Sequence, residues 1–136
     1  SLGAPFKPDS ITSALAEIKG SYPQMALGVH FPLADAKHIL PVLENSAADI
    51  VGIDAIYTDF KGVKTSKQVL LGVVDGARAG IESAEYLAKQ SSLFLEETGF
   101  SGTYYLGCND RLSDVPFEAA IGKIRALAAF KPRRVA

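Results

Sequence analysis

The sequence predicts an α/β fold built on a parallel sheet, and three observations predict it. Helix-periodic and strand-like segments alternate along the chain in the order α, β, α, β, short link, β, α, β, α. The strand candidates are nearly continuous apolar runs, the pattern of parallel strands covered on both faces. Each of them also ends in an ionisable or metal-competent side chain, and parallel folds gather their chemistry at the C-terminal ends of strands.

The first helix is expected over "PDSITSALAEIKG", capped by Asp9 or Ser10. Ile11, Ala14, Leu15 and Ile18 form its apolar face, and Gly20 sits where a left-handed C-terminal cap is wanted. "MALGVHFP" (25–32) reads as a buried strand closed by Pro32, which has no N–H for a ladder. In "ADAKHILPVLENSA" Asp35 is a plausible cap, and Pro41 predicts a kink or a short, broken helix. "DIVGIDAIYTD" (49–59) and "KQVLLGVVDG" (67–76) are the second and third strands. Their link is short for a parallel crossover, with only a hint of a helical turn around Asp59 to Gly62. A strong helix follows in "ESAEYLAKQSSLFLEETG", capped by Ser83, turning Leu87, Phe94 and Leu95 one way, and stopped by Gly99. "GTYYLGC" (102–108) is the fourth strand. The last helix runs from about Asp114 to Phe130 with Pro116 in its first turn. Phe117, Ala120, Ile121, Ile124, Leu127 and Ala128 keep helical spacing along it. "KPRRVA" reads as a frayed basic tail, and Ser1-Leu2 as a possible cloning remnant.

At 136 residues, 48% hydrophobic and 21% charged, the chain suits one globular domain with a real core. A net charge of −1 with both signs interspersed favours neither nucleic acid nor an anionic membrane as partner. No apolar run approaches the roughly 20 residues that span a bilayer, and no signal peptide is evident. One cysteine cannot form an internal disulfide, so a cytoplasmic location is expected. The phosphate-loop and dinucleotide glycine signatures are both missing; "DGARAG" (75–80) reads as a loop.

The strand ends supply a short list of candidates: His30, Asp54, Asp75 and Cys108. His30, Asp54 and Cys108 offer an imidazole nitrogen, a carboxylate oxygen and a thiolate sulfur, a mixture that Zn²⁺ accepts. Each also has an ordinary reading. A lone cysteine is most often a small buried hydrophobe, His30 suits a satisfied core or loop position, and Asp75 before Gly76 is a turn former. Asp54 inside an apolar strand is harder to dismiss, because a buried carboxylate must be paired or coordinated. His38, Arg78 and Arg111 read as solvated.

"GVHFPLADAKHILPVLENSAADIVGIDA", "VLLGVVDGARAGIESAEYLAKQ" and "YYLGCNDRLSDVPFEAAIGKIRALA" together resemble the C-terminal part of cobalamin-independent methionine synthases. More loosely they resemble the wider superfamily of uroporphyrinogen decarboxylase and the methylcobalamin-dependent thiol methyltransferases. The resemblance runs over roughly residues 25 to 130. It implies the C-terminal half of a (β/α)8 barrel in which zinc binds the thiol of homocysteine and lowers its pKa. The resulting thiolate would take a methyl group from 5-methyltetrahydrofolate, or from methylcobalamin in the corrinoid-dependent relatives. By position, the resemblance places zinc ligands at His30, Asp54 and Cys108, and a weaker catalytic candidate at Asp75.

The chain departs from that family at three places. Pro32 stands where the family's His-x-Cys motif has cysteine, Asp54 replaces the usual glutamate, and Ala77 replaces the histidine of an Asp-x-His motif. A complete barrel needs about 250 residues, so a missing half or a second copy of the chain is the expected partner, beside a small thiol substrate. The isolated chain is expected to turn over little. A degenerate homologue that binds a ligand or partner without catalysis is the competing expectation.

Overall fold

The computed structural model describes residues 7–131, so Ser1-Leu2 and the tail beyond Lys131 lie outside the described residues. Four helices and four strands follow one another as α1 (Pro8–Ser21), β1 (Gly28–Val29), α2 (Leu40–Glu44), β2 (Ile50–Asp54), β3 (Gln68–Val74), α3 (Ala84–Thr98), β4 (Tyr104–Cys108) and α4 (Phe117–Ala129). A short 3-10 turn, Ala36–His38, precedes α2. The strands form one sheet in the order β1-β2-β3-β4, and every pairing is parallel. This is the predicted α/β class, an arc of consecutive parallel strands.

Helix ends follow capping chemistry where the cap residue is available. Ser83 accepts from the Tyr86 N–H at the start of α3, and Gly99 ends it at φ 64°, as expected from the sequence. Asp35 likewise accepts from the Lys37 N–H, but the segment it caps is a 3-10 turn. Pro41 then sits in the first turn of a five-residue helix, the short helix that was one of the two outcomes expected there. At α1 the expected caps fail: Lys7 is the N-cap, Pro8 opens the helix, and Asp9 lies within its first turn. Gly20 is helical, and the chain leaves α1 through Tyr22. Pro116 is the N-cap of α4, one position outside the helix.

The expected first strand shrinks to two residues, which pair with Ile50 and Val51. It is an edge strand, and its entry is held from outside the ladder. Asp49 accepts from the Leu27 N–H and from Lys19 Nζ, both at 2.7 Å, joining α1, β1 and the start of β2. The β2–β3 link contains no helix. Phe60 and Val63, each 3% exposed, cover the sheet there instead, and Phe60 meets Phe94 of α3 edge-on at 5.4 Å. Two well-placed apolar side chains thus replace the crossover helix.

Alternation along the strands sorts the two faces of the sheet. Val51, Ile53, Val69, Leu71 and Val73 belong to the core with Leu15, Leu40, Leu43, Leu87 and Phe94. Tyr104 packs on Phe94 at a centroid distance of 6.1 Å, so Tyr104, Leu106 and Cys108 share this helix-covered face. The opposite face carries Ile50, Leu70, Tyr105 and Gly107, which are at least partly exposed, and Gly52, Asp54 and Gly72, which are buried; among the described residues no helix layer covers it. On α4 the expected apolar face is only partly used: Phe117 is 79% and Ile124 50% exposed, while the one fully buried side chain is Lys123. Among the described residues, no helix is long and apolar enough to cross a membrane.

Candidate functional site

At the C-terminal ends of the strands, polar side chains converge on a residue outside the expected set, Asn109. It follows Cys108 directly, so alternation turns it to the open face, where it is fully buried. Its Nδ2 donates to both carboxylate oxygens of Asp54, at 3.3 and 3.2 Å. Its Oδ1 accepts from the Gly76 N–H at 2.9 Å, beyond the tip of β3. Its carbonyl oxygen accepts from His30 Nε2 at 2.5 Å, and its own N–H donates to the Val74 carbonyl at 2.8 Å. One asparagine therefore ties all four strand ends together.

Glycines make room for this packing. A Cβ at Gly52 would overlap the His30 ring, and one at Gly72 would lie 2.7 Å from the Asn109 Cα. At Gly76 a Cβ would lie 2.7 Å from the Arg111 carbonyl oxygen, so the β3 and β4 tip loops also touch backbone to backbone. A register shift between Gly72 and Val74 brings Cys108 level with Val74 and sets the direction in which Asn109 leaves the sheet.

Asp54, fully buried, is paired as its apolar surroundings require. Oδ1 accepts from the Ile56 and Tyr57 N–H groups at 2.9 and 3.2 Å, and Oδ2 from the Leu33 N–H at 2.8 Å. The last bond holds Leu33 at φ 57°, a left-handed conformation costly for a branched residue. His30 donates through Nε2 to a carbonyl, which assigns the proton to that nitrogen; its Nδ1 is buried without a partner.

Cys108 stands apart from these two. It shares the helix-covered face, on the side of Glu82 and Lys123. Burial pushes its thiol pKa upward, the Glu82 carboxylate pushes the same way, and Lys123 pulls it back in part. Lys123 itself is fully buried, donating to the Gly80 carbonyl at 2.5 Å and to Glu82 at 2.9 and 3.2 Å. Glu82 Oε1 also accepts from the Asp75 N–H at 3.0 Å, which latches the β3–α3 loop onto α4.

Asp75 is an ordinary loop former here. Its Oδ1 accepts from the Ala77 N–H at 2.9 Å, and its Oδ2 lies 3.5 Å from Arg78 Nε. With Tyr57, Arg78, Glu82 and Tyr86 it lines a hollow of about 420 Å³ at the rim. His38 is exposed, and Arg111 pairs with Asp114 at 3.6 Å.

The structure thus brings His30 and Asp54 together through Asn109 and leaves Cys108 on the other side of the sheet. Among the described residues, no three His, Cys, Asp or Glu side chains come together as a group that could hold a metal ion. The donor chemistry agrees for Asp54, whose two oxygens are already taken up by N–H donors, while His30 Nε2 is committed to a carbonyl and Nδ1 is the ring nitrogen left open. As arranged, His30, Asp54 and Cys108 do not fit a shared zinc ion. Asn109 was missed because an amide is not among the usual zinc donors; its place one residue past a strand tip, in "GCND", was the available signal.

No protein-family model and no curated protein sequence matches the chain. Among solved structures, the chain is similar to a B12-independent methionine synthase from Shewanella sp. W3-18-1, solved in complex with selenomethionine. The TM-score is 0.65 at 18% identity, over 90% of this chain and 43% of that one. The chain therefore spans less than half the length of that protein, and it shares the fold of a partial section of a barrel methionine synthase.

Proposed function

We propose that the chain forms part of a methionine synthase-like barrel and that the assembled barrel transfers a methyl group to a thiol, with homocysteine as the acceptor. The observation that supports this reading most is the sequential parallel arc β1-β2-β3-β4, whose fold is similar to a section making up 43% of a methionine synthase. The methyl donor is 5-methyltetrahydrofolate, or methylcobalamin in the corrinoid-dependent variant of the reading. The remainder of the barrel comes from further chain or from a second copy. The edges of β1 and β4, unpaired among the described residues, and Phe117 and Ile124 on α4 are the surfaces such a partner would cover.

The test is a methyl-transfer assay with each donor in turn, on the 136-residue chain and on the longest product of its source gene. Methionine formed only by an assembled barrel is the expected result. Robust turnover by the 136 residues alone would refute the partial-barrel reading. A second reading, a non-catalytic homologue that binds a ligand or partner, is favoured by the saturation of Asp54 and the separation of Cys108 from His30. It predicts no transfer in either form, and no change in metal content or stability with Cys108→Ala.

A further inference from the structure

We propose that Asn109 does at this rim what a cation would otherwise do: it holds the buried Asp54 carboxylate and ties the strand ends together, making the fold independent of metal. This inference concerns how the rim is held and does not depend on the methyl-transfer reading.

A buried carboxylate drawing in neighbours from three strands needs positive charge or a dense set of donors. Here the donors are three backbone N–H groups and the Asn109 amide, whose Nδ2 faces both Asp54 oxygens at 3.2–3.3 Å. The two ends of the amide have different tasks. Nδ2 satisfies the anion on β2, while Oδ1 takes the Gly76 N–H beyond β3. The backbone carbonyl of the same residue holds the imidazole that follows β1. Asn109 is wholly excluded from solvent, and Gly52 and Gly72 lack the side chains that would prevent the approach of His30 and Asn109. Only a side chain with a donor and an acceptor on one planar group serves both tasks. Aspartate, nearly identical in shape, would place a second carboxylate against Asp54 and restore the need for a cation.

The experiment compares wild type with Asn109→Asp in thermal melts, each with chelator and with micromolar Zn²⁺. Wild type is expected to melt at the same temperature, within about 1 °C, under both conditions. Asn109→Asp is expected to melt about 10 °C or more lower with chelator and to regain at least half of that loss with Zn²⁺. A wild type stabilised by several degrees with Zn²⁺ would overturn the proposal. So would an Asn109→Asp variant that melts like wild type, or one whose loss Zn²⁺ does not restore. Should Asn109→Asp fail to fold, nitrogen-15 spectra of the wild-type imidazoles decide the matter. A His30 proton on Nε2, with ring shifts unchanged by Zn²⁺, supports the proposal; a bare Nε2, or either ring nitrogen of His30 shifted by Zn²⁺, refutes it.

Discussion

Lys123 makes the packing of α4 testable by a single substitution, because its charged side chain is fully buried. Its ammonium is wholly buried and its partner Glu82 is 10% exposed, so the pair is desolvated. Replacing Lys123 by Met keeps the length and apolar stem of the side chain but leaves Glu82 charged and the Gly80 carbonyl without its donor. Removing one partner of such a pair costs roughly 3–5 kcal/mol. The lower end applies here, because Glu82 keeps the Asp75 N–H and some contact with water. For a domain of this size, about 3 kcal/mol lowers the melting temperature by about 10 °C. The double change Lys123→Met with Glu82→Gln removes both charges yet keeps an acceptor for the Asp75 N–H. It should recover to within about 1 kcal/mol of wild type. Circular dichroism melts of the three proteins measure both steps. A single variant that costs under about 1 kcal/mol, or a double variant as unstable as the single, would refute the view of Lys123 and Glu82 as a buried, mutually dependent latch.

The same latch predicts chemistry at the sulfur: Lys123→Met removes the one group that lowers the Cys108 pKa, so alkylation of Cys108 at pH 8 should slow in the folded protein. Leu33→Gly relieves the left-handed backbone at a 47%-exposed position and should raise stability by up to about 1 kcal/mol in urea titrations. Gly52→Ala drives a methyl group into the His30 ring and should cost roughly 1–3 kcal/mol by the same measurement. Asp49 is held below the usual carboxylate range by Lys19 first and by the Leu27 N–H second. A carboxyl with a lower pKa when folded stabilises above its unfolded value, near 4, and loses that contribution as pH falls through the folded value. Asp49→Asn should therefore shrink the difference in melting temperature between pH 5 and pH 3.

The fold was largely legible because its signals are local. Ser83 and Gly99 bracket α3 with their own side-chain and backbone preferences, and the apolar runs of β3 and β4 stand where expected, whereas β2 ends at Asp54, short of the expected Asp59. Legibility failed where distant contacts decide. Gly20 stays helical, since nothing in the sequence around it shows that the chain turns at Tyr22. β1 is short because its register is set by Asp49, whose partners Lys19 and Leu27 lie 30 and 22 residues away. The β2–β3 link needs no helix because Phe60 finds Phe94, 34 positions on, a contact that no periodicity announces. On α4 the spacing of Phe117, Ile121 and Ile124 was read correctly, but spacing does not say whether a partner covers that face.

The candidate site divides along the same line. Residue type pointed to His30, Asp54 and Cys108, and strand ends pointed to the rim, yet side-chain direction decides whether donors meet. One position separates Cys108 from Asn109, and that step carries the side chain from the helix-covered face to the open one. The register shift at Gly72 and Val74, a tertiary feature, sets which of the two faces the rim. The buried aspartate was correctly singled out as needing a partner, and the partner is a neutral amide and backbone N–H groups. Selection for a metal site and selection for an amide clamp would act on the same strand ends, and the identity of residue 109 is what separates them.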